Sequence, residues 1–144
     1  MNRLLDIENL SVTFGRGTGA VEAVREVSLR INKKETVALV GESGSGKSVT
    51  ALSVMQLLPY PLAYHPTGSI KFEGEELVGA PDRRMRALRG NDISMIFQEP
   101  LSSLNPLHSI ERQIAEVLLL RKKMSPSKAR DRVLELLSLV NLES

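Results

Sequence analysis

The stretch VALVGESGSGKSVT, Val37 to Thr50, decides how the rest of this chain is read. TVALV, Thr36 to Val40, is apolar without alternation, the pattern of a strand covered on both faces. Gly41, Gly46, Lys47 and Ser48 then fit G-x-x-x-x-G-K-[ST]. SVTALSVMQLL follows, with Val49, Leu52, Met55 and Leu58 at helical spacing, and Pro59 and Pro61 stop it. A buried strand, a glycine loop and a helix in that order are the context in which this pattern holds phosphate. Glycines allow positive φ, so backbone N–H groups can converge on phosphate oxygens. Lys47 is a mobile charge able to reach the β- and γ-phosphates. The Ser48 hydroxyl suits Mg²⁺, which takes oxygen ligands. The helix points its positive end at the anion.

Outward from the loop, two kinds of strand are expected. LSVTF (Leu10, Val12, Phe14), VSLRI (Val27, Leu29, Ile31) and SIKFEG (Ile70, Phe72) alternate, as half-buried strands of a small antiparallel sheet do. GRGTG supplies turn glycines between the first two. ISMIF, Ile93 to Phe97, is a second continuous apolar run and reads as another buried strand. DRRMRALRG reads as a short helix with Asp82 as its cap and Gly90 at its end. From about Pro100 the chain turns helical. Ile110, Ile114, Val117 and Leu118 share one face, and Ala129, Val133, Leu136, Leu137 and Val140 another, the latter opened by Ser125 as cap and Pro126 at the first position.

The chain has 144 residues, 42% hydrophobic and 25% charged, enough for a real core. A net charge of +2 does not argue for nucleic acid. With no cysteine there is neither a disulfide framework nor thiol chemistry. No apolar run approaches the roughly 20 residues of a membrane span, and MNRLLDIENL lacks an apolar signal core. Placement in the cytoplasm is therefore expected, with any membrane served from the side.

Two residues outside the loop are candidates. Gln98 ends ISMIF, and in open α/β sheets ligands sit beyond the carboxyl ends of strands. Its amide could reach Mg²⁺ or orient a water, or it could be a solvated polar residue at a strand end. Phe14 could stack on a nucleotide base, or it could be core.

GESGSGKS together with QEPLSSLNP resembles the ATP-binding cassette of ABC transporters, and more narrowly the dipeptide, oligopeptide and nickel importers. The opening and the run LLP…HPTGSIKFEGEEL…LRGNDISMIFQEPLSSLNPLHSIERQIAEVL are similar to the first cassette of fused two-cassette peptide importers of the YejF type, over essentially all of the chain. The phosphate loop is shared by many NTPases; QEPLSSLNP is far more specific.

This resemblance implies an α/β fold: a partial P-loop NTPase (RecA-like) core with an N-terminal antiparallel β subdomain over residues 1–99, and the start of an α-helical subdomain over 100–144. It implies ATP and Mg²⁺ as ligands. Gly41, Ser43, Gly44, Ser45, Gly46, Lys47, Ser48 and Val49 would hold the nucleotide, Phe14 would fall on the adenine-stacking position, and Gln98 on the Q-loop glutamine. Lys47 and Gln98 would serve catalysis, Ser48 and Gln98 the metal. Implied partners are a second ATP-binding cassette (as a dimer or fused tandem), transmembrane permease subunits facing the segment after Gln98, and, indirectly, a periplasmic solute-binding protein. The implied place is the cytoplasmic face of the inner membrane, peripherally bound, and the implied task is ATP-driven uptake of di- or oligopeptides or similar solutes.

Three family features have no counterpart in the sequence. LSSLN, Leu101 to Asn105, lacks the glycines of an L-S-G-G-Q-like signature. No Asp-Glu dipeptide exists to end a Walker B strand, and neither His65 nor His108 lies where a switch histidine would. The expectation is thus an N-terminal portion of a longer ATPase, itself without turnover, because water activation and transition-state stabilisation need the missing groups. Other classes remain as alternatives: a non-hydrolysing binding or structural piece, a GTPase or small-molecule kinase (NKKE, Asn32 to Glu35, precedes the loop and carries Glu where guanine readers carry Asp), or a nucleic-acid module built on Arg83, Arg84, Arg86 and Arg89.

Overall fold

In the computed structural model, residues 2–98 and 104–142 are described. They fall into two units, Met1–Ile93 and Ser94–Ser144.

The first unit is organised by one long strand. β1 (Arg3–Phe14) pairs antiparallel with β2 (Val21–Asn32) along its whole length. On its other edge it pairs with β4 (Ser69–Phe72) at one end and β3 (Ala63–Tyr64) at the other. β5 (Glu75–Glu76) extends the sheet from β4, giving the order β2-β1-β4-β5. Simple alternation fails midway along β1: Leu5 and Ile7 face the core, and so do Leu10, Val12 and Phe14. The register shifts between Ile7 and Leu10, where Asn9 has φ 48° and Glu26 on β2 has φ 46°. This irregularity flips the phase of both strands, so each keeps its apolar residues on one face. Serines stitch it: the Asn9 N–H donates to Ser28 Oγ at 2.9 Å and the Glu26 N–H to Ser11 Oγ at 3.0 Å.

Gly68 enters β4 against this point. Its φ is 104°, and a Cβ there would lie 2.4 Å from the Leu10 Cα, so the approach admits only glycine. Ile7, Leu10, Val12, Val24 and Ile70 from the sheet, with Ala63 and Leu77, form the core. It is closed by Val54 and Leu58 from the stretch after the glycine loop and by Met85 and Leu88 of α2 (Asp82–Leu88).

The alternating strands are present as expected; the two continuous apolar runs are not strands. Thr36–Val40 has no strand assignment, and Val40 is 85% exposed. Ile93 makes one parallel bridge with Arg89, while Ile96 is 96% exposed. A parallel strand is held by a ladder to at least one neighbouring strand. Among the described residues neither run has such a neighbour, so apolar composition alone does not bury it.

Two helix ends also differ from expectation. α1 (Lys47–Val54) stops four residues before Leu58, because Gln56 takes φ 50°. Pro81, not Asp82, is the N-cap of α2; Asp82 is its first residue and pairs with Arg86 four positions on.

The second unit contains an αα-hairpin, α3 (Ile110–Leu120) and α4 (Pro126–Leu139). Ser109 caps α3 by accepting from the Arg112 N–H at 3.2 Å. Ser125 precedes α4 with Pro126 at the first turn, but its hydroxyl makes no cap bond. Ala129 and Val133 are the buried residues of the α4 face, Leu136 and Leu137 are half-buried, and Val140 is exposed. Arg130 and Glu111 join the helices at 3.5 Å.

Candidate functional site

The glycine loop turns into α1 at Gly46, which has φ 87° and ψ 3°. That turn is braced from behind. A Cβ on Gly46 would stand 2.6 Å from the Ala23 carbonyl oxygen and 3.0 Å from the Val24 side chain, both on β2. The loop therefore sits directly on the antiparallel sheet. Ala23 is a site residue that no sequence pattern singled out, since it contributes a backbone carbonyl.

The Gly46 carbonyl is fixed by Thr50, whose N–H donates to it at 2.8 Å and whose buried hydroxyl donates at 2.9 Å. Further along, the buried Ser53 hydroxyl donates to the Val49 carbonyl at 2.8 Å. The N-cap of α1 is Gly46, which has no side chain, so no side-chain cap bond is made there. Lys47 bends back over the loop, its Nζ donating to the carbonyls of Gly41 at 2.8 Å and Glu42 at 2.6 Å and to Ser45 Oγ at 3.3 Å.

These groups border a depression of about 140 Å³ lined by Ala23, Gly44, Ser45, Gly46, Lys47, Ser48 and Val49. Gly44 has φ 80° with open space where a Cβ would point. A helix N-terminus, an ammonium and a hydroxyl beside an open concavity make a fit for an anion with several oxygens. Among the described residues no cluster of three or more His, Asp or Glu could hold a metal. A hard cation here would depend on the Ser48 hydroxyl and on oxygens brought by the anion itself, as Mg²⁺ commonly does.

The other sequence-predicted residues lie elsewhere. Gly41 contacts the loop through Ser45 and Lys47, and it and Ser43 do not line the depression. Phe14 ends β1, paired with Val21 and Ala63, half-buried and packed against the core. It is not among the lining residues. Gln98 belongs to the second unit, where it is exposed. Most of QEPLSSLNP, residues 99–103, lies outside the described residues.

The arginine group of α2 is engaged within the protein. Arg84 donates through Nε to Glu75 at 2.7 Å and Arg86 to Asp82 at 2.7 Å. Those bonds hold the Glu75 and Asp82 carboxyls below the usual carboxylate range. Arg89 donates to the Met55 and Gln56 carbonyls, both at 2.8 Å. What looked like a basic patch in sequence is largely internal pairing.

His65 is a joint between segments. Its Nε2 accepts from the Tyr60 hydroxyl at 2.7 Å and its Nδ1 faces the Ser11 carbonyl at 3.3 Å. Burial lowers its pKa, offset in part by the Ser11 bond, and burial pushes Tyr60 up to about 12 against the opposing charge of Arg89. Among the described residues no helix is long and apolar enough to cross a membrane.

Comparison with known proteins gives the architecture its family. The ABC transporter family model matches residues 24–144. The peptidoglycan transport ATP-binding protein YejF of Agrobacterium fabrum is 55% identical over 139 residues, which is 96% of this chain and 26% of that protein. The oligopeptide transport ATP-binding protein OppD of Bacillus subtilis is 45% identical across 99% of this chain and 40% of its own length. The chain thus spans about a quarter to two fifths of these curated relatives. The dimeric post-hydrolysis structure of the ATP-binding cassette MJ0796 bound to ADP and Pi superimposes with a TM-score of 0.78 at 24% identity, over 98% of this chain and 59% of that one. That likeness shows the fold: an antiparallel sheet and helices forming part of an α/β P-loop NTPase. With the family model covering most of its length, this chain belongs to the ABC transporter family, in its ATP-binding cassette.

Proposed function

We propose that this chain is the nucleotide-gripping part of an ATP-binding cassette that drives uptake of peptides or similar small solutes. The observation that carries the reading is the glycine loop itself: an uncapped helix N-terminus, a positive-φ turn braced by Ala23, and the Lys47 ammonium gathered over one open depression. The relatives named as peptidoglycan-transport and oligopeptide-transport ATP-binding proteins support the choice of ATP and of peptide-like cargo.

In this reading the N–H groups from Gly44 to Val49 hold the phosphates. Lys47 exchanges its carbonyl contacts for the β- and γ-phosphate oxygens, where a point charge is worth more than in water. When Mg²⁺ is bound, the Ser48 hydroxyl would hold it; Gln98 would serve the metal as the family resemblance implies, and Phe14 would offer a stacking face to the base. Mg²⁺, when bound, neutralises charge developing on the phosphate oxygens. Gln98 orients the attacking water without deprotonating it, because an amide has no basic lone pair at neutral pH. Residues 1–99 form the nucleotide part and 100–144 begin the helical part that meets the permease subunits. The site is shared with a second cassette, the assembly works peripherally at the cytoplasmic face of the membrane, and a solute-binding protein outside selects the cargo.

Residues 1–144 contain no Asp-Glu pair and no glycine-rich signature, so by themselves they bind Mg-ATP without turning it over. Titration of the full-length protein with labelled ATP and GTP, with and without Lys47→Ala, tests the reading. Binding of ATP in preference to GTP, lost in the variant, is expected. Undiminished binding by Lys47→Ala would overturn the assigned role, and robust turnover by residues 1–144 alone would overturn the division of labour.

A further inference from the structure

We infer that Arg89 is a positioning residue for the phosphate loop, holding the far end of its helix by forking onto the two carbonyls that follow α1. This rests on the nucleotide reading above and adds to it a residue outside the glycine motif.

α1 has eight residues, so it is a rod of about 12 Å, little more than two turns. A movement at one end of so short a rod tilts the other. At the N-terminal end Gly46 is seated on the Ala23 carbonyl and Val24. At the C-terminal end Met55 keeps helical angles and is buried, and the chain turns at Gln56 with φ 50°, the Gln56 N–H donating to the Ser53 carbonyl at 3.0 Å and the Leu57 N–H to the Leu52 carbonyl at 3.0 Å. The carbonyls there carry the negative end of the helix.

Arg89 meets both of them. Its Nε donates to the Met55 carbonyl and its Nη2 to the Gln56 carbonyl, each at 2.8 Å, two parallel bonds from one planar group. The arginine is itself held. Its N–H donates to the Met85 carbonyl at 2.9 Å, Asp82 lies 3.7 Å from its Nη1, and its side chain is only 24% exposed. Met85 and Leu88 beside it are fully buried. Its backbone also forms the parallel bridge with Ile93, and the Gly90 N–H donates to the Ile93 carbonyl at 2.8 Å. The fork therefore ties α1 to α2 and to the point where the chain sets out toward Gln98.

Without the fork, α1 keeps its N-terminal seat, its buried face of Thr50, Ser53 and Val54 and the turn bonds of its own end, but loses its hydrogen-bonded tie to α2. The end of the helix then shifts relative to α2, and with it the placing of the loop at the other end. Arg89→Met in the full-length protein is expected to weaken Mg-ATP binding about tenfold, or about 1.4 kcal/mol, at a temperature where the variant remains folded. Arg89→Lys keeps a charge at the helix end but cannot fork, and is expected to weaken binding about threefold, or about 0.65 kcal/mol.

The measurement is fluorescent-nucleotide titration beside a thermal melt, with Lys47→Ala as the control for the site itself. A lower melting temperature with unchanged affinity in Arg89→Met would reduce Arg89 to a structural role and overturn the inference alone. Absence of binding by the unaltered protein would overturn the nucleotide reading and this inference with it. Should Arg89→Met not fold, Arg89→Lys decides, since affinity equal to that of the unaltered protein shows the fork is not needed.

Discussion

Gly46→Ala is the substitution whose cost the structure specifies most fully. Two separate terms act on it. Gly46 has φ 87°, and an L-residue held on that side costs about 1–2 kcal/mol. The new Cβ would also lie 2.6 Å from the Ala23 carbonyl oxygen and 3.0 Å from the Val24 side chain, and neither can withdraw easily because both belong to the sheet. Overpacking of that kind costs about 1–3 kcal/mol. Loss of glycine's freedom in the unfolded chain returns about 0.4–1 kcal/mol. The net expectation is a destabilisation of about 1–4.5 kcal/mol.

Gly44→Ala separates the terms. Its φ of 80° brings the same backbone cost, but nothing lies within 4 Å of the added atom, so about 0–1.5 kcal/mol is expected. Urea unfolding of the two variants beside the unaltered protein, followed by circular dichroism, reads the difference. A gap above about 1 kcal/mol between them supports the brace against β2. Equal stabilities would refute it, and with it the claim that the loop is seated on the sheet.

Three further expectations follow from the same packing. Gly68→Ala places a Cβ 2.4 Å from the Leu10 Cα, backbone against backbone, and should cost at least as much as Gly46→Ala; a melting temperature within a degree of the unaltered protein would contradict it. Val133→Ala empties a fully buried position between α3 and α4 and should destabilise the hairpin by about 1.5–3 kcal/mol, seen as faster amide exchange in both helices. The folded state binds a proton on His65 less tightly than the unfolded chain, whose value is near 6.5. Its contribution is therefore complete above about pH 6.5 and is lost as pH falls from there through the lowered folded value. His65→Gln should flatten that fall between pH 7.5 and pH 5, and an unchanged slope would assign it to other groups.

The candidate loop was legible because its pattern is short and local. Gly41, Gly46, Lys47 and Ser48 need only their own spacing, and the helix that follows announces itself by Val49, Leu52, Met55 and Leu58. The half-buried strands were legible for the same reason, since alternation is a property of consecutive residues. Their phase was not. Glu26 carries no turn signal in sequence and Asn9 only an asparagine's tolerance of positive φ, yet each takes it because two long strands must turn their apolar residues to a single core.

Other misreadings share one physical cause. Thr36–Val40 and Ile93–Phe97 have the composition of covered strands, but a strand exists only with a ladder, and the ladder partner is never local. For the four arginines from Arg83 to Arg89 the sequence left a nucleic-acid surface only as an alternative; Glu75, Asp82 and the carbonyls of Met55 and Gln56, brought in by folding, engage three of them. The sequence by itself determined the loop pattern on which the proposal of nucleotide binding rests, because that pattern sits in eight consecutive residues. Only the tertiary structure decided what holds the loop still: Ala23 through a carbonyl any residue could supply, and Arg89 through a fork onto a helix 34 residues earlier in the chain. Backbone acceptors have no residue signature, so their role appears only when the chain is folded.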